Sequence, residues 1–222
     1  MSLALAILAG SVLTAAAPQS PPIFNPGAPG EASRVITAAE AVELSRTGFV
    51  EADVRFMQHM IVHHAQAVEM VALLESRGSS ETVRRLGERI ARTQEAEMAL
   101  MEDWLLSRNL PVSAPDPHAG HHGHEAADPD TPLMPGMLTP AQMAELAGSA
   151  GPAFDRLFLE GMIRHHFGAL DMVDDLLADA DTAEDPMLSD FASSVTADQS
   201  AEILRMQSIL SELQIQSSEG RP

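Results

Sequence analysis

Phe56-Met57-Gln58-His59-Met60-Ile61-Val62-His63-His64 returns later in the chain as Phe158-Leu159-Glu160-Gly161-Met162-Ile163-Arg164-His165-His166. At the same shift Asp53, Ala67, Met70, Val71 and Leu74 match Asp155, Ala169, Met172, Val173 and Leu176. Upstream, Thr37, Ala39, Glu43 and Leu44 match Thr139, Ala141, Glu145 and Leu146. Downstream, Gln94, Glu97 and Met101 match Gln199, Glu202 and Met206 at a slightly larger shift. The drift puts a length difference in a turn, where insertions are tolerated. Self-similarity at a fixed offset marks a repeated structural unit, so the chain is read as a duplication.

Each copy predicts the same elements. Thr37, or Thr139 with Pro140 at the first helical position, opens a short capped helix. A long helix follows, near Glu51 to Arg77 and near Ala153 to Asp179. After a turn comes a second, near Glu81 to Arg108 and near Pro186 to Leu213. Phe56, Met60, Ala67, Val71 and Leu74 fall on one stripe at helical spacing, and Val83, Leu86, Ile90, Met101 and Trp104 on another. A lone helical hairpin buries little, so two hairpins are expected to merge into one all-α antiparallel four-helix bundle. The repeats span residues 36–110 and 138–215.

Outside them, residues 1–16 read as a signal peptide. An apolar run from Leu3 to Leu13 precedes Ala15, Ala16 and Ala17, which predicts export to a periplasmic or extracellular space, with no membrane association after cleavage. Residues 17–35, the His- and Pro-rich 111–137 and the tail 216–222 lack apolar periodicity and read as linkers or disordered segments.

Composition narrows the function. Of 222 residues, 45% are hydrophobic and only 4% aromatic, with no Tyr; a core is affordable and helix is favoured over strand. The formal charge of −19, from 13 basic and 32 acidic residues, repels phosphate backbones and argues against nucleic-acid partners. The absence of Cys excludes disulfides, thiolate metal sites and Cys nucleophiles. No nucleotide fingerprint or Ser/His/Asp order is present.

Against that background the stripes carry anomalies. Asp53 and His64 fall on the apolar face of the first long helix, with Met57 and His63 on its flanks and His59 further out. Gln94 and Glu97 fall mid-stripe on the partner helix. The second copy repeats this with Asp155, His165, His166, Gln199 and Glu202. Burying such groups unpaired costs several kcal/mol. One explanation is structural, with each His pairing across its hairpin to a Glu and each Met filling core. Yet Met60 lies within a turn of both His63 and His64, so thioether and imidazole converge. Thioether ligands select soft ions, and imidazole suits copper in either oxidation state. The candidate metal ligands are therefore Met57, His59, Met60, His63, His64 and Met101 in the first copy. In the second they are Met162, His165, His166 and Met206. Asp53, Gln94, Glu97, Asp155, Gln199 and Glu202 are expected to orient them. His118, His121, His122 and His124 in the linker form a separate candidate for copper or another transition metal.

The motif from Phe56 to His64, its return from Phe158 to His166, and the Gln94, Glu97, Met101, Trp104 block resemble the domain-of-unknown-function 305 family. The resemblance covers about Thr37 to Arg108 and Thr139 to Leu213. It implies a ferritin-like helical bundle, as in the CopM-like periplasmic copper-binding proteins. It also implies copper handling through Met57, Met60, His63, His64, Met162, His165 and His166, with another copper-handling protein as a partner. Leu159 and Gly161 leave the second copy two ligands short. A ferritin-like metal-dependent oxidoreductase and a metal-free structural bundle are the competing functions. The first is weakened because Glu-x-x-His pairs are missing at the matching helical positions.

Overall fold

Apolar stripes at helical spacing, interrupted by Gly78-Ser79-Ser80 in one copy and by the Asp-rich 178–185 segment in the other, set where the long helices stop. The computed structural model describes residues 21–25, 32–44, 48–114 and 130–219. They divide into two bodies, 1–46 and 47–222.

In the first body Ile23–Asn25 (β1) pairs antiparallel with Arg34–Ile36 (β2), Phe24 lying opposite Val35. Helix α1, Ala38–Leu44, follows; Glu40 accepts from the Thr37 backbone N–H at 2.8 Å while Thr37 Oγ1 accepts from the Glu40 N–H at 3.1 Å. This reciprocal cap is the one its Thr predicts. The ribbon is a correction, because residues 17–35 read as structureless from composition. Ile23, Phe24, Val35 and Ile36 are the apolar and β-branched types that a strand favours.

The second body is helical. Glu51–Ala72 (α2) breaks at Leu73 and resumes as Leu74–Arg77 (α3); Glu81–Ser107 (α4) returns after a three-residue turn. Pro140–Gly148 (α5) is capped by Thr139, whose Oγ1 accepts from the Gln142 N–H, and leads to Gly151–Leu177 (α6) and Pro186–Glu219 (α7). Helix α7 therefore runs beyond position 216, where the sequence read as tail. Within this body α2 packs on α4, α6 on α7, and α2 on α6.

Buried apolar side chains gather in two clusters. One takes Ala67 and Met70 from α2, Leu86 and Ile90 from α4, Phe158 and Met162 from α6, and Ile203 and Met206 from α7. The other takes Phe56, Met57 and Met60, then Met101 and Trp104, then Ala169 and Val173, then Leu188 and Val195. Each cluster draws on all four long helices, from the late part of α2 with the early part of α6, or the reverse. The two motif helices therefore run antiparallel, with His63 to Gln66 and His165 to Gly168 at the waist between the lobes. Among the described residues, no helix is long and apolar enough to cross a membrane.

Candidate metal centre

The waist holds what the wheel of the sequence could only place on a stripe. His63, His64, His165 and His166 are all fully buried, and Gln94 and Gln199 nearly so. The rings of His63 and His165, one from each copy, lie 3.9 Å apart at 40°. Here the duplicated motifs meet face to face instead of forming two remote sites.

Each imidazole is held through Nε2. His64 Nε2 pairs with Glu97 Oε2 at 2.8 Å, and His166 Nε2 with Glu202 Oε2 at the same distance. His63 Nε2 donates to the Pro135 carbonyl at 2.9 Å, and His165 Nε2 to the His63 backbone carbonyl at 2.9 Å. A carbonyl only accepts, so in His63 and His165 the proton must sit on Nε2 and the lone pair on Nδ1. Burial, opposed by the Pro135 hydrogen bond and aided by repulsion from His64 and His166, lowers the His63 pKa to about 4. Burial, with repulsion from its three neighbouring imidazoles, lowers that of His165 as well. Both rings are therefore neutral at pH 7, the state a metal ligand needs.

The other ring nitrogens are left over. Nδ1 of all four histidines, and both amide atoms of Gln94 and of Gln199, are buried without a hydrogen-bond partner. Each such orphan costs about 1–3 kcal/mol. An imidazole anchored by one nitrogen to a carboxylate or carbonyl, with the other nitrogen free, is how proteins present His to a metal. Among the described residues, no three His, Asp or Glu side chains are grouped to hold an ion by themselves. Imidazole nitrogen together with thioether would suit a soft ion. Met57, Met60 and Met101 are fully buried in one lobe, and Met162 and Met206 in the other.

Other candidates fall elsewhere. His59 is exposed, one turn before His63. Asp53 and Asp155 do not orient ligands. Asp155 accepts from the backbone N–H of Ser79 and Ser80, in the turn of the other copy. Asp53 accepts from the Ala183 N–H, in the opposite turn, and from Val50. Ten residues of helix separate Asp53 from His63, about 15 Å. His118, His121, His122 and His124 lie outside the described residues.

Several positions that shape the site gave no sequence signal of their own. Pro135 and Gly136 lie directly on helix α6: a Cβ on Gly168 would stand 2.0 Å from the Pro135 carbonyl oxygen, and Gly136 has φ +72. Only glycine admits that approach. The approach delivers the Pro135 carbonyl to His63. Gln66 fixes the same strap by accepting from the Leu138 N–H at 2.7 Å and donating to its carbonyl at 3.0 Å. Gln58 donates to the Pro111 carbonyl at 2.7 Å. The 111–137 segment, read as free linker, is thereby pinned to α2 near both ends.

Similarity to known proteins agrees with this architecture. A DUF305 fragment from Deinococcus radiodurans is 31% identical, the match covering 74% of this chain and 98% of that one with a TM-score of 0.62. A DUF305 protein from Streptomyces coelicolor is 32% identical over 73% of this chain and 93% of its own, with a TM-score of 0.58. CopM in its Cu(I)-bound form is 25% identical over 72% and 96%, with a TM-score of 0.55, and CopM also has Ag-bound and Cu(II)-bound structures. Comparison with curated proteins gives no match. The DUF305 family model, a domain of unknown function, matches residues 53–210, and the chain belongs to that family.

Proposed function

We propose that this protein is an extracytoplasmic metal binder that takes copper into the waist and sequesters it or passes it on. On this reading the tandem hairpins form one ferritin-like four-helix bundle and residues 1–16 direct export. The observation that carries the proposal is the set of four buried Nδ1 atoms without partners, contributed equally by both copies. Bound copper would supply the Lewis acid that those lone pairs lack. His63 and His165 would be donors from opposite helices, and His64 and His166 the donors backed by Glu97 and Glu202. Met60 and Met162, each one turn away on the same helix, would supply the soft thioethers. The copper and silver structures of CopM support the choice of ion.

Titration of the mature protein with Cu(I) against a competing chelator tests this. Binding is expected, and it should fall at least a hundredfold in the variant carrying His63→Ala and His165→Ala. No binding by the wild-type chain overturns the proposal. The 2.8 Å His–Glu pairs favour one alternative, a metal-free bundle in which they act only as clamps. That reading requires a melting temperature unmoved by the ion, whereas a ligand bound only by the native state must raise it.

A further inference from the structure

The two copies part company at the surface. His59 of α2, Met172 and Asp175 of α6, Asp179 just beyond it, and Met134 and Pro135 of the strap line a groove of about 350 Å³. Met134 and Met172 are half-buried, and His59 makes no hydrogen bond among the described residues. Asp175 and Asp179 sit at the end of α6, where the helix dipole favours a cation.

Internal symmetry supplies the control. Positions 59 and 172 of this groove correspond to Gly161 and Met70 at the opposite side. There a Cβ on Gly161 would meet the Met70 methyl at 3.2 Å and a Leu138 methyl at 3.3 Å, so the two positions face each other and the space is closed by apolar groups. The counterpart groove measures about 130 Å³ and is lined by Leu138, Leu146, Gly161 and Arg164, with neither thioether nor imidazole. Both grooves carry two carboxylates and one arginine, Asp175, Asp179 and Arg55 here against Glu145, Glu160 and Arg164 there, with Arg55 already paired to Glu51; what has collected on one side only is an imidazole and two thioethers. The carboxylates do not make a hard-cation cage with His59. The thioethers select a soft ion instead.

We propose that this groove is a second, outer site for a soft monovalent cation, Cu(I) or Ag(I), with His59, Met134 and Met172 as donors and Asp175 and Asp179 as its anionic mouth. Its role as a loading point for the waist rests on the function proposed above, since Pro135 borders the groove and holds His63. Binding in the groove itself does not depend on the waist.

The test is an Ag(I) titration of the full chain, labelled at the methionine methyls and followed by NMR. It is repeated on Met134→Leu with Met172→Leu, and on His63→Ala with His165→Ala. The Met134 and Met172 methyls are expected to shift in the wild type and in the His63/His165 variant. In the leucine variant, silver affinity read from the His59 ring should fall at least tenfold. Shifts at Met60 and Met162 with Met134 and Met172 silent overturn the outer site and leave the waist standing. The converse pattern establishes the groove and sinks the waist. Silence at all four methyls overturns both. Should the His63/His165 variant fail to fold, the wild-type titration alone decides.

Discussion

The two copies share their polar pairings and differ in what surrounds them. His64–Glu97 and His166–Glu202 repeat at the same 2.8 Å, and each copy's Asp holds the other's turn. They differ in the core, where Trp104 stands in place of Ile209 and the Pro135 carbonyl faces His63 while His165 has a helix carbonyl, and at the surface, where His59 stands in place of Gly161. The shared part is the chemistry of the waist; the unshared part decides how the waist is closed and approached.

The largest expected break in this symmetry is at Trp104. Its Nε1 donates to Asp185 Oδ1 at 3.1 Å, and the Arg108 guanidinium lies 4.2 Å from its ring while also pairing with Asp185. Trp104→Ala should cost about 3–5 kcal/mol in urea unfolding, by loss of a buried aromatic. Ile209→Ala, removing the counterpart, should cost about 2–4 kcal/mol. Equal costs would show that the clasp between α4 and α7 contributes nothing beyond apolar burial.

Acid should act next. The folded-state pKa of His63, about 4, lies below the unfolded value near 6.5. Falling pH therefore loads protons onto the unfolded chain first. The contribution of neutral His63, of order 3 kcal/mol, is complete above pH ~6.5 and is lost as pH falls toward 4. Metal-free protein should show this decline in thermal melts, and His63→Gln should flatten it. A wild-type melting temperature constant from pH 7 to 4.5 would contradict a buried neutral ring.

The smallest effect should separate the clamps. Asp155 takes the Ser79 and Ser80 N–H groups and the Ser79 hydroxyl, whereas Asp53 takes two backbone N–H groups. Asp155→Ala should cost about 2–3 kcal/mol and Asp53→Ala about 1–2 kcal/mol, from donors left without an acceptor. Urea midpoints with an unchanged slope would measure both.

The helices were legible because apolar residues recur at helical spacing and because the repeat checks every assignment twice. His64 with Glu97, and His166 with Glu202, were legible for the same reason: polar groups on facing stripes must meet. Asp53 was misplaced because a helical wheel discards position along the axis; it shares a face with His64 but stands at the far end of the helix. Pro135 was invisible because its contact with Gly168 is made between distant segments, and no local pattern encodes it. The ribbon from Ile23 to Ile36 is too short for alternation to announce itself. The orphaned Nδ1 atoms could not be read at all, since the tautomer follows from which acceptor each ring finds in three dimensions.

The exchanged aspartates have one further meaning. Residue i of one hairpin touching j of the other, while its twin touches the twin of j, is the contact pattern of a two-fold homodimer. In such a dimer any substitution is made twice. Within one polypeptide it is made once, so a histidine can appear on one side while glycine stays on the other. A single chain thus lets one side of the molecule change while the exchanged aspartate contacts stay paired.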